Sequence, residues 1–466
     1  MIDLKALRDD PDRFARGAAL KHIDVDIDRI IELDVARRAA LREAEEARAQ
    51  QKSISKSIGP DIGRKRGELK KAQGDARTTL ESAIAHLEAR PMELKAKVQA
   101  AEAKVADLSE PLNELLLHVP LPPDDDVPHG DSAADNVEVR QWQPDGWNHK
   151  QSFETNRGFK PRTHLQLIEQ HNLVDFARGV KVAGTRHYAL KGDGMLLHQA
   201  VLRMGLDLIT QEHGFTPMSV PVIVRESCMV GTGFFPDGME QAYHIDECRR
   251  GAGHDLFLTG TGEVGLMGLH ADEIIDRSQL PMKLATMSTC FRREAGAAGR
   301  DTAGLYRIHQ FDKVEQVVID IADEATERAH HAAMIGIVET LLQRLELPYR
   351  LLQCCTGDLG SKNADMIDIE CWMPSRGDTD DADLPLGDWG ETHSASRLHD
   401  YQCRRLNLRY RDDDGKTRFC WSLNNTVVAS PRILIPILEM HQQVDGSIRL
   451  PEALRPYMHG REAIGG

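Results

Sequence analysis

The sequence is short of several features that would classify it quickly, and each shortage excludes something. Its eight cysteines include no Cys-x-x-Cys pair, only the adjoining Cys354 and Cys355, so they outline neither a zinc framework nor a ladder of secretory disulfides. The twenty histidines show no metal-ligand spacing. No apolar run reaches the ~20 residues that span a bilayer, and Met1-Ile-Asp-Leu-Lys5 lacks the shape of a signal peptide. A reducing, cytoplasmic setting with no membrane partner is the expectation. Basic residues are in deficit, 58 Lys and Arg against 73 Asp and Glu, for a formal net charge of −15. That argues against a general nucleic-acid binder while leaving room for one local basic contact on an acidic body. Aromatics reach only 5%, which suits a helix-rich chain. At 466 residues the chain is too long for one compact core, and two or three domains are expected.

What is present begins with helical periodicity. After a small entry element over residues 1 to about 25, apolar or small residues recur in steps of three and four: Ile30, Leu33, Ala40, Ala44, Ala47, Ile54, Ile58. A second run is cleaner, from Leu80, Ile84 and Leu87 through Leu94, Val98, Ala101, Val105, Leu108, Leu112 and Leu115. Such spacing is the seam of a coiled coil. Gly59-Pro60 is expected to end the first helix, and Pro91, on the seam, to kink the second at a cost of ~3 kcal/mol. Folded back antiparallel, the two helices make an arm of roughly 45 Å from the helical rise. Arg64, Lys65, Arg66, Lys70 and Lys71 cluster at its tip, placed to meet a nucleic-acid backbone. The proline-rich acidic stretch Val119–Pro128 reads as linker. The domain reading is therefore 1–118 for a helical arm (coiled coil about 27–116), 119–135 for the linker and 136–466 for a second domain.

Within that second domain, Leu284, Thr286, Ser288, Cys290, Arg292 and Glu294 alternate onto one face of a strand, and Phe311, Lys313, Glu315, Val317 and Ile319 onto one face of another. A polar loop punctuated by Gly296, Gly299 and Gly304 separates them. This predicts an antiparallel hairpin carrying an arginine for phosphate, an aromatic for a flat ring and carboxylates for amino groups.

Four other stretches keep an order around it. A helix over Leu196–Glu212 precedes a strand over Thr216–Val224 that carries Pro221. Thr261-Gly262-Glu263 ends an extended segment, with Thr261 and Glu263 on one face. Glu391-Thr392-His393-Ser394 places a hydroxyl three residues after a carboxylate, a pattern fit for an oxygen-loving cation at a bulge. Asn424-Asn425-Thr426 leads to Ser430-Pro431-Arg432, where Ser430 is expected as N-cap, Pro431 as first helical residue and Arg432 in the first turn, facing an anion.

This ordered series resembles the class II aminoacyl-tRNA synthetases in the form seen in seryl-tRNA synthetases, and the likeness covers almost the whole chain. The resemblance implies an α+β fold: an antiparallel β-sheet class II catalytic domain flanked by helices, preceded by a long antiparallel coiled-coil arm. It also implies a homodimer, formed through the helix and strand before the hairpin, and an arm that reaches serine tRNA. The implied activity is formation of seryl-adenylate from L-serine and ATP with Mg2+, then transfer of the seryl group to the 3′ end of serine tRNA, selenocysteine tRNA included as a possible second substrate. Arg292 and Arg432 are the implied catalytic residues. Thr261, Gly262, Glu263, Arg292, Glu315 and Thr426 are implied for serine. Arg292, Arg293, Glu294, Ile308, Phe311, Glu391, Thr392, His393, Ser394 and Arg432 are implied for ATP, with Glu391 and Ser394 holding the metal.

The chain departs from the family pattern at Gly262, where alanine is usual, at Arg293 and Ala303, and by carrying Pro91 and Pro436. The glycine is expected to loosen the backbone more than it alters contacts, and Pro436 to crowd the carbonyl of Arg432. The acidic loop over residues 376–390 receives no role. Two alternatives stand beside the ligase reading: an amino acid:carrier-protein ligase, disfavoured by the long arm, and a non-catalytic or resistance-associated homologue, disfavoured by the intact arginines and glutamates.

Overall fold

A computed structural model describes residues 2–246, 250–251, 254–295, 304–377 and 386–465. The chain divides into two compact units, one of Leu4–Pro11 with Asp24–Val119, the other built mainly of Pro120–Gly466.

In the first unit, α1 (Ile27–Leu69) and α2 (Asp75–His118) form a helical hairpin. Asp26 caps α1 by accepting from the Arg29 amide at 2.8 Å. The predicted seam is buried at Ile30, Leu33, Ala40, Ala44, Ile84, Leu94, Val98, Ala101 and Leu112. Arg48 pairs with Glu102, and Arg66 with Glu88 at 2.7 Å; the earlier residue of α1 meets the later residue of α2, as an antiparallel pairing requires. The expected helix end at Gly59-Pro60 is corrected: α1 runs on to Leu69, and the reversal falls at 70–74. Gly74 supplies the positive φ that opens α2. Pro91 likewise lies inside an unbroken helix.

The second unit is organised by an eight-stranded sheet. Its strands are β1 (Val137–Trp142), β2 (Thr216–Met218), β3 (Met282–Phe291), β4 (Gln310–Asp320), β5 (Tyr349–Gln353), β6 (Asp365–Met373), β7 (Asp388–Arg397) and β8 (Trp421–Ser430), in the spatial order β1-β5-β6-β7-β8-β4-β3-β2. Only the β2–β3 pair is parallel. The hairpin read from period-two alternation is β3–β4, with Thr286 opposite Glu315, Ser288 opposite Lys313 and Cys290 opposite Phe311.

One sheet face is covered by α3 (Asp193–Asp207) and α5 (Glu324–Arg344). Leu197 and Val201 of α3, Val338 and Leu341 of α5, and Val314, Val318 and Val428 of the sheet share a fully buried core. On the other face, α4 (Gly262–Gly268) packs on β3 and β4. Helix α6 (Leu434–His441) is buried along its length.

Three local expectations are corrected. Thr216–Val224 is not one strand: Thr216–Met218 joins the large sheet, while Ile223–Arg225 pairs with Leu256–Leu258 in a small one, Pro221 lying at the break. Thr261-Gly262-Glu263 is not extended, because Thr261 is the N-cap of α4 and accepts from the Glu263 amide. Ser430 is not a helix cap either. It remains in β8 opposite Asp312, and α6 starts only at Leu434. Pro436 consequently sits in the first turn of α6, where a missing amide costs no intrahelical bond.

Candidate active site

The functional side chains gather where β7, β8 and β4 run side by side. Two bulges set their directions. Between β6 and β7, Ile369 pairs with His393 but Glu370 pairs with Glu391, so Thr392 is an extra residue. In a regular strand, residues three apart point to opposite faces; the extra residue returns Glu391 and Ser394 to the same one. Between β4 and β8, Val427 is similarly extra, and it sets Thr426 opposite Glu315.

A cavity of about 530 Å³ opens over these strands. Its walls include Arg292, Glu294, Ile308, Phe311, Glu391, Thr392, His393, Ser394, Thr426 and Arg432, all expected from the sequence, together with Tyr306 and Lys313, which were not. The Arg292 guanidinium lies 5.5 Å from the Phe311 ring centroid, leaving a cationic plane and an aromatic plane at one end. Glu294 receives Arg307 Nη1 at 3.5 Å. Arg432 donates through Nε to the Tyr306 carbonyl at 3.2 Å and through Nη1 to the Glu391 carbonyl at 3.1 Å. Its guanidinium stacks 4.4 Å from the Tyr306 ring, which Arg376 approaches to 4.5 Å.

Arg293, expected with the nucleotide set, is not among the lining residues. It lies beyond the end of β3 at Phe291, and its amide bonds the Gln241 carbonyl at 2.9 Å. Ala303 and most of the 376–390 loop lie outside the described residues.

The residues expected for an amino acid lie deeper. Glu315, 1% exposed, accepts from Thr261 Oγ1 at 3.2 Å and is ion-paired through Oε2 to Lys313 Nζ. Burial pushes its carboxyl above the usual range, with the Lys313 ammonium opposing and Glu263 reinforcing the shift. Gly262 packs on Thr286. Glu263 turns from the cavity to Lys362 Nζ at 2.9 Å and Gln402 Nε2 at 2.7 Å, a scaffold role rather than the expected pocket one.

Near Glu391 and Ser394, Asp368 Oδ1 is buried without a hydrogen-bond partner. Burial, with the Glu391 charge, raises the Asp368 carboxyl well above the ordinary range. A hydroxyl and crowded carboxylates with an unpaired oxygen form a donor set that fits a hard divalent cation such as Mg2+. His393 is buried and pushed down to about 3 by burial, then by Arg432, so it is a neutral wall.

Beneath the cavity, on the opposite sheet face, His198 of α3 joins Ser430 Oγ at 2.8 Å to Asp312 Oδ2 at 2.9 Å, and Thr289 Oγ1 donates to Asp312 Oδ1 at 2.6 Å. This chain, buried at His198 and Ser430 and half-buried at Asp312 and Thr289, ties the ends of β8, β4 and β3 to α3.

The sequence profile described as seryl-tRNA synthetase N-terminal domain matches residues 1–122, and the tRNA synthetase class II core domain (G, H, P, S and T) matches 243–441. The chain is 38% identical over 466 residues to the serine--tRNA ligase of Deinococcus radiodurans, covering 100% of this chain and 99% of that one. With the corresponding ligase of Thermobifida fusca it shares 39% over 459 residues, covering 98% and 97%. Among solved structures, seryl-tRNA synthetase from Pyrococcus horikoshii complexed with ATP superposes with a TM-score of 0.82 at 33% identity, covering 100% and 99%. Cytoplasmic serine-tRNA ligase from Naegleria fowleri in complex with AMP gives 0.78 at 27%, covering 97% and 95%. No helix among the described residues is long and apolar enough to cross a membrane. With both ends of the fold matched and full-length relatives well above 30% identity, this chain belongs to the seryl-tRNA synthetase family of the class II aminoacyl-tRNA synthetases.

Proposed function

We propose that the protein activates L-serine with ATP and transfers the seryl group to serine tRNA. The observation that carries this reading is the convergence of Arg292, Arg432, Glu391 and Lys313 on one cavity, with Glu315 buried behind it as the ion-pair partner of Lys313. ATP and an amino-acid carboxylate are both anionic and must be brought together against repulsion. Arg292 bridges the attacking carboxylate and the α-phosphate with its fork of donors, and Arg432 grips the distal phosphates. Phe311 stacks on adenine and Glu294 accepts from its exocyclic amine. Mg2+, when bound, supplies positive charge to the phosphates, and Glu391 with Ser394 would hold it. Glu315 takes the ammonium of serine, and Thr261 with Thr426 line the small polar pocket. Catalysis is alignment and charge stabilisation, with no covalent enzyme intermediate.

Rejection of alanine follows if the pocket must hydrogen-bond a hydroxyl. Homodimer formation, cytoplasmic residence and contact of the helical hairpin with tRNA belong to the same reading. The test is ATP–pyrophosphate exchange with a panel of amino acids, followed by charging of total tRNA. Serine-specific exchange and tRNA charging are expected; exchange without charging would favour a carrier-protein ligase. Glu315→Gln should raise the KM for serine by about 30-fold or more, the lower end for truncating one partner of a buried charge pair. Near-normal exchange by that variant would remove the assignment.

A further inference from the structure

Lys313 is the cation against the buried Glu315 carboxylate. It sits two residues before Glu315 on the cavity face of β4, is 5% exposed, and places Nζ against Glu315 Oε2. Lys313 lines the cavity together with Arg292 and Thr426. The arrangement has an electrostatic consequence. Glu315 is reserved for an incoming ammonium, but its Oε2 already faces one, the Lys313 Nζ. Two ammonium groups on a single buried carboxylate repel each other strongly in a poorly solvating interior, so ligand entry must displace the lysine. The displaced Nζ remains buried and needs a new anion. The ligand brings one, its own carboxylate, a single carbon from its ammonium.

We propose that Lys313 and Glu315 form a receptor for the zwitterionic head of the amino acid. In the empty site the two side chains satisfy each other. On binding, the ligand ammonium takes Glu315, and Lys313 swings its flexible stem to the ligand carboxylate. Lys313 thereby holds that carboxylate beside Arg292 before the α-phosphate is attacked. The proposal rests on the reading that serine binds here and assigns a substrate-touching role to a residue outside it.

The test compares two ligands in the full-length protein: L-serine, and serinol, which keeps the ammonium and hydroxyl but has no carboxylate. Serine is read through its KM in pyrophosphate exchange and serinol through its inhibition constant. Lys313→Gln is expected to weaken serine by about 10-fold or more, the scale of a lost charge-assisted hydrogen bond, while changing serinol by less than about 3-fold. Parallel losses for both ligands would mean that Lys313 only neutralises Glu315, and unchanged serine binding would mean that it touches neither; both results overturn the proposal. If Lys313→Gln does not fold, Lys313→Met keeps the stem without the charge and is read by the same ratio. Absence of serine-dependent exchange in the unaltered protein would instead overturn the functional reading.

Discussion

Gly262 is explained by the strand residue that α4 packs against. A Cβ there would stand 2.3 Å from Thr286 Cγ2 and 3.1 Å from Ser288 Oγ, on a floor where Thr286 is fully buried. The glycine makes room for a methyl and is not a loosened hinge, which corrects the expectation from sequence. Gly262→Ala should destabilise the protein by about 1–3 kcal/mol through overpacking and lower serine-dependent exchange. Thr286→Ser, by removing that methyl, should restore much of the loss in the double variant. Calorimetry on the four proteins of the cycle checks the coupling, and additive effects would refute it. Much of the cavity wall was legible at this scale: Phe311 keeps the period of two in β4, whereas Arg292 and Glu294, expected on the strand, reach the cavity from beyond its end at Phe291, with Glu294 at positive φ. Lys313 keeps that period too, but a lysine between an aromatic and a glutamate passes for a solvated strand residue until its burial is known. Tyr306 and Arg376 follow loops, where no periodicity predicts direction.

Elements were legible where a pattern persists and illegible where one residue breaks it. The coiled-coil seam and the central hairpin were found from their spacing, whereas Thr392 and Val427, the extra residues that aim β7 and β8, leave no trace in hydrophobic alternation. Pro60 misled for the opposite reason: a strong breaker rule did not hold, α1 running on to Leu69 although none of its residues beyond Ala47 is buried. The hairpin tip follows from the same geometry. Arg64 and Arg66 are engaged by Asp61 and Glu88, while Lys70 and Lys71 stand exposed at the reversal. If they meet an RNA backbone, Lys70→Ala and Lys71→Ala should each weaken tRNA binding and reduce its logarithmic salt slope by about 0.7–0.9. Pyrophosphate exchange should be unchanged. A salt slope equal to that of the unaltered protein would place the contact elsewhere.

The whole molecule carries a pH signature away from its catalytic cavity. His399 Nε2 meets Asp124 Oδ1 at 2.9 Å, its Nδ1 lies 2.8 Å from Glu327 Oε2, and Arg397, fully buried, pairs with both acids. Burial alone would favour neutral imidazole, but the two carboxylates prevail and lift His399 from 6.5 to about 9. The folded value exceeds the unfolded one, so the stabilisation is complete below about pH 6.5 and is lost as pH rises through about 9. The melting temperature should therefore decline across that interval, and His399→Gln should flatten the decline; an identical slope in the variant would contradict the assignment.

The chain through His198 has a different consequence, for where the molecule can be cut. The class II core match begins at residue 243, yet the imidazole that fastens Ser430, two positions before Arg432, comes from α3 upstream of that border. A fragment trimmed to its family boundaries would retain every motif named for the chemistry and still be an amputation, with Asp312 and Ser430 facing the gap left by a missing helix.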